Sequence, residues 1–163
     1  MNKSILKIII LLSIFLGIVS GLLTIIPFVG ELVFWILITS ASFVVILFMT
    51  KMKILDIATV KQSVVIGALI GFVSFLAFSL VYIPAVVILA KLINYVSNPG
   101  IVMFLSHSSV GLTVMLAVFM GVLSATLNAF SGFLIYYFIE FNRSLNSNEP
   151  NQNSFEQFNI KRK

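Results

Sequence analysis

The chain has 163 residues, of which 60% are hydrophobic and 9% charged, and its mean hydropathy is +1.17. A soluble domain carries about 25% charged residues, so this composition cannot build a water-facing surface and excludes an ordinary soluble enzyme or binding domain. The net charge of +5 does not point to nucleic acid either, because the basic residues flank apolar runs and no basic stripe or stacking platform accompanies them.

The apolar residues fall in runs long enough to cross a hydrocarbon core, which takes about 20 residues of helix. The first run, Ile5 to Ile26, is interrupted only by Lys7 near its start and ends at Pro27-Phe28-Val29-Gly30, a breaker cluster that predicts a tight turn. After Glu31 a second run from Leu32 to Thr50 stops at Lys51-Met52-Lys53, which pairs it with the first as a helical hairpin. A polar break from Ile54 to Gln62, with Asp56 and Lys61, precedes the third run, Ser63 to Ile83. This third span either ends at Pro84 or kinks there and continues to about Tyr95, since membrane helices tolerate proline.

Ser97-Asn98-Pro99-Gly100 is a strong turn signal, and residues 94–107 are expected as a loop. The last run, Ser109 to Ile139, would extend about 46 Å as a helix, against a core of about 30 Å, so it must tilt or project. Residues 141–163, rich in Asn, Ser and Gln, predict a disordered tail, with a surface contact through Phe155, Phe158 and Lys161-Arg162-Lys163. The expectation is therefore an all-α polytopic membrane protein. Residues 1–140 form a four-helix transmembrane bundle of two hairpins, with spans at about 5–26, 32–50, 63–83 and 109–139.

Lys3, Lys7, Lys51, Lys53, Lys61, Arg143, Lys161, Arg162 and Lys163 fall on one side of these spans and Lys91 alone on the other. The positive-inside rule then places both termini and the middle connection in the cytoplasm of a cell-membrane protein. A cleaved signal peptide is the rival explanation of the first run, given the basic start and the small residues Val19-Ser20-Gly21.

Small residues recur every fourth position, on one helix face, as Ser13, Gly17 and Gly21 and again, fifty positions later, as Ser63, Gly67 and Gly71. Such faces let helix backbones approach closely in lipid. The common offset also permits a parallel duplication of residues 1–50 and 51–140, a device known in transporters. The fourth span has its own small face through Ala117, Gly121, Ser124 or Ala125, Asn128 and Gly132. A carboxamide is costly in hydrocarbon, so Asn128 is expected to point into the bundle and bond a hydroxyl or backbone group of another helix.

Chemistry-bearing groups are scarce. No charged residue or histidine lies at the centre of a span, where proton- or ion-coupled transporters carry them. The absence of cysteine removes disulfides, thiolate metal sites and cysteine nucleophiles. His107, the single histidine, makes neither a metal site nor a triad by itself. Glu31 suits the positive end of a helix dipole, and no glycine loop cradles phosphate. The expectation is a protein without enzymatic activity, cofactor or metal.

The block Gly17 to Gly30 (GIVSGLLTIIPFVG), followed by a second span, a lysine-bearing connection and GALIGFVSF, resembles small uncharacterised bacterial membrane proteins. The likeness covers residues 5–84 and implies membrane residence without assigning a site. Three functions fit: a structural or accessory protein packing against partner helices, a small transporter or pore acting as a homo-oligomer, and a holin-like permeabilising protein.

Overall fold

The computed structural model describes residues 3–26, 28–55, 59–93 and 99–147. They form five helices: α1 (Lys3–Leu23), α2 (Val29–Lys51), α3 (Val60–Ile93), α4 (Pro99–His107) and α5 (Val110–Ser147), and no strand occurs among the described residues. All but α4 are long and apolar enough to cross a membrane. Helix is one of only two structures in which so apolar a segment pairs every backbone group without water.

α1 gives way to α2 through a short, tightly wound connection. Ile25 and Ile26 donate to Leu22 and Leu23, three residues back, at 3.3 and 3.1 Å. Phe28 then turns the chain at a φ of 67°, costly for any residue with a side chain. Gly30 lets the start of α2 lie against Thr24, whose Cα would stand 3.0 Å from an added Cβ. At its far end α2 closes in a Schellman motif: Lys53, at a φ of 57°, donates to Thr50, and Ile54 donates to Met49, both at 3.0 Å.

α3 runs through Pro84 to Ile93, the longer of the two expected courses, while two other features differ from the expected outline. The proline ring's fixed φ is itself helical, only one donor is lost, and Pro84 lies on an exposed side of α3. Residues 99–107, expected as loop, form α4, with Pro99 at the first helical position, where a missing N–H costs nothing. The tail expected from residue 141 begins later, because α5 is helical to Ser147. No glycine or proline interrupts residues 133–149, the Arg143 guanidinium stands 3.9 Å from the Glu140 carboxylate one turn away, and the Ser144 hydroxyl donates to the Phe141 carbonyl at 2.7 Å. Loss of apolarity there does not end the helix. The remainder of that tail, residues 148–163, lies outside the described residues, as do Pro27, residues 56–58 and residues 94–98.

α3 occupies the middle of the molecule, packed against α1, α2 and α5, while α2 also contacts α1 and α5, and α4 rests on α3. Ile9, Ile38, Ile46, Met49, Ile66, Ile70 and Ile135 are buried where the four long helices converge. Nearer the α1–α2 connection the packing becomes aromatic: Phe34 of α2 meets Phe75 and Phe78 of α3, and Phe78 stacks on Tyr82 at 5.1 Å.

Candidate functional site

The two small-residue ladders serve different interfaces. Ser13, Gly17 and Gly21 are buried, and the face they form meets α3. A Cβ on Gly17 would collide with the Ser74 carbonyl and stand 2.8 Å from the Ala77 Cβ. One on Gly21 would stand 3.2 Å from the Phe78 carbonyl and the Val81 Cβ. The Ser13 hydroxyl turns back to the Ile9 carbonyl at 2.7 Å. Rising residue numbers on α1 meet rising numbers on α3, so the two run parallel.

Ser63, Gly67 and Gly71 instead face α5. The Ser63 hydroxyl donates to the Gly132 carbonyl at 2.6 Å, a Cβ on Gly67 would stand 3.3 Å from the Gly132 Cα, and one on Gly71 would stand 2.6 Å from the Ser124 carbonyl. Rising numbers meet falling ones, so α3 and α5 are antiparallel. In a two-fold repeat, the ladder that α1 turns to α3 would be answered by the α3 ladder turned to α1. α3 meets α1 with Ser74, Ala77, Phe78 and Val81, so the shared spacing reflects a common need for close packing and not that symmetry. Gly121 is buried too, but a Cβ there would only touch the Phe72 ring at 3.4 Å, ordinary contact.

Asn128 is wholly enclosed, at 0% exposure, where α2, α3 and α5 meet. Its Nδ2 donates to the Ile38 carbonyl at 2.7 Å and the Ser124 carbonyl at 3.0 Å, with the Leu37 carbonyl at 3.3 Å. Its Oδ1 accepts the Ser42 N–H at 2.7 Å. Ile38 and Ser42 are four apart in α2, and their carbonyl and N–H are partners in a regular helix. The carboxamide therefore reaches into the hydrogen-bond ladder of α2 and engages both of its ends. The Ser42 hydroxyl returns a bond to the Asn128 carbonyl at 2.9 Å, and the Ser131 hydroxyl donates to the Thr39 carbonyl. On the α3 side the Ser124 hydroxyl donates to the Gly71 carbonyl at 3.1 Å.

Beyond this junction α3 and α5 separate. The close backbone contacts of the glycines give way there to a cleft of 600 Å³, lined chiefly by Leu76, Leu80 and Ile83 on α3 and Val114, Ala117 and Val118 on α5, that Leu105 of α4 helps to close. A further 310 Å³ adjoins it, sharing Ser79, Ile83, Leu105, Thr113 and Ala117 and backed by Phe34, Phe75, Phe78 and Tyr82. Of the hydroxyls on these walls, Ser79 donates to the Phe75 carbonyl at 2.9 Å and Thr113 to the Ser109 carbonyl at 3.3 Å, each one turn back along its own chain. Such a cleft can enclose apolar matter. No carboxylate, lysine, arginine or histidine is among its lining side chains.

The other singled-out residues do not join this site. Exposed Glu31 stands in the first turn of α2, whose cap residue, Phe28, makes no side-chain cap. His107 ends α4 with Nδ1 at 2.9 Å from the Met103 carbonyl, beside a hollow of 410 Å³ between α4 and the start of α5. Among the described residues, no three His, Asp or Glu side chains gather in a metal-binding group. Neither the cleft nor the α2 backbone as Asn128's partner was legible in the pattern of residues. The run of Thr39, Ser40 and Ser42 in α2 was the one polar signal that could have suggested the latter. No family model, no curated protein and no solved structure matches the chain.

Proposed function

We propose that the protein crosses the cell membrane four times as two helical hairpins, α1 with α2 and α3 with α5, with both termini in the cytoplasm. In this reading it has no catalytic activity and serves as a structural or accessory component that packs against the helices of another membrane protein. One observation carries it: Asn128, the carboxamide in the middle of the fourth span, has its hydrogen-bonding groups occupied by α2 and α5, while the large cavities are lined mainly by apolar side chains. A transporter or pore assembled from several copies has less support, since Asn128, its expected path-lining group, is enclosed at 0% exposure. Nothing in the geometry favours the holin-like alternative. The partner surface is assigned to α5, the least buried of the four long helices, which exposes Met115, Phe119 and Val122 along one side.

A photoreactive phenylalanine analogue placed at Phe119 and irradiated in native membranes tests this. A discrete adduct carrying the mass of one different protein is the expected outcome. An adduct of twice the chain's own mass would replace the accessory reading with a homo-oligomer, and adducts to lipid alone would overturn both.

A further inference from the structure

We propose that the cleft between α3, α4 and α5 holds one acyl chain of an anionic phospholipid from the outer leaflet, with the lipid phosphate at Lys91. This rests on the four-span orientation proposed above. On α3 the cleft wall runs from Leu76 to Val87, about 17 Å at 1.5 Å per residue, close to half of a hydrocarbon core of about 30 Å. Its inner end is shut where Gly71 meets the Ser124 carbonyl, and its outer end is narrowed by Leu105 of α4. A partner helix is about 10 Å across and needs a groove along the whole span. A slot one leaflet deep, blind at the middle of the bundle, fits a single flexible hydrocarbon chain.

The charge pattern agrees in position. Lys61 and Lys91, near the two ends of α3, are separated by about 45 Å of helix, the thickness of a bilayer with its headgroups. With Lys61 on the inner side, Lys91 reaches the outer headgroup layer. It lies one helical turn beyond Val87, on the same side of α3 as the cleft wall formed by Leu80, Pro84 and Val87. It is exposed and makes no ion pair among the described residues, and it is the single Lys or Arg expected on that side. An anionic phosphate supplies the missing counter-charge while its chain fills the apolar space below.

The test uses the full chain in vesicles of phosphatidylcholine with a minor fraction of phosphatidylglycerol bearing a diazirine on one acyl chain. After irradiation, label is expected on peptides spanning 76–87 and 110–118, above the level on the lipid-facing side of α1. Ala117→Phe, which fills the cleft from the α5 wall, should remove that excess. Lys91→Gln, at an exposed position that leaves the packing intact, should lower cleft labelling by phosphatidylglycerol about fivefold and leave labelling by a phosphatidylcholine probe unchanged. Equal label on α1 and on the cleft, or indifference to both substitutions, would overturn the proposal. Cross-links to a second copy or another protein through residues 76–87 would assign the cleft to that occupant instead. Alkaline extraction of the same vesicles separates the two failures: release of the chain into the supernatant overturns the membrane-spanning reading itself, whereas retention with uniform label overturns only the lipid site.

Discussion

At the scale of single residues, Asn128 shows what a carboxamide does that a hydroxyl cannot. Nδ2 faces carbonyls of Ile38 and Ser124 while Oδ1 faces the Ser42 N–H, so donor and acceptor ends are both required, and in a fixed order. Asn128→Ala should lower stability by about 1–2 kcal/mol, the range of interhelical polar contacts in membranes. That cost is limited because the freed Ile38 carbonyl and Ser42 N–H can pair with each other. Asn128→Asp should cost more than alanine, since it sets a carboxyl oxygen against carbonyls that now accept a donor. Reversible unfolding in mixed micelles, comparing the two variants, reads the order; aspartate milder than alanine would contradict the assigned orientation. The sequence made the inward direction of Asn128 legible through the cost of an amide in hydrocarbon. It could not make the partner legible, because that partner is main chain in α2, 86 positions away, and backbone groups leave no mark in residue identity.

The glycines divide in the same way. A Cβ on Gly132 would stand 2.5 Å from the Ser63 carbonyl, whereas one on Gly111 meets nothing within 4 Å. Gly132→Ala must therefore push α5 off α3 and should cost about 1–3 kcal/mol, while Gly111→Ala should gain about 0.5–1 kcal/mol from reduced backbone freedom. Thermal melts in one detergent with both variants check the opposite signs.

At the scale of elements, hydropathy alone made the four long helices legible, because each apolar run must satisfy its own backbone. What it missed depends on local chemistry that works against composition. Pro99-Gly100 has the composition of a turn and yet opens α4, since proline is as well suited to a first helical position as to a turn. The polar residues after Ile139 suggested a tail, but polarity by itself does not stop a helix. The end of α2 gives a quantitative case. Lys53 takes a φ of 57° so that two bonds close the helix, a conformation that costs a residue with a side chain about 1–2 kcal/mol and glycine little. Lys53→Gly should therefore raise stability by about 1 kcal/mol in micelles, where the lost charge has no anionic surface to face. Lys53→Ala should bring no gain. An equal rise in both would assign the effect to charge and not to the backbone.

At the scale of the whole molecule, close packing and openness are separated along the bundle. Where Ser63, Gly67 and Gly71 press on Ser124, Asn128 and Gly132, α3 and α5 touch backbone to backbone; further along, mostly branched aliphatic side chains line the cleft between them. Two antiparallel helices are thus closely packed toward one end of the bundle and bound an apolar cleft toward the other. Which end faces outward decides what the cleft can meet, and the distribution of Lys and Arg argues for the end near Phe28. The chain has no cysteine, so one introduced thiol reports one place. Phe28, at 94% exposure, and Met52, at 58%, mark the two ends of α2. In intact cells a membrane-impermeant maleimide should label Phe28→Cys at once and Met52→Cys only after permeabilisation. The reverse pattern would invert the molecule and bring the cleft to the inner leaflet. Immediate labelling of both would mean that α2 does not cross the membrane, and the helices would then have to bury their apolar faces against protein.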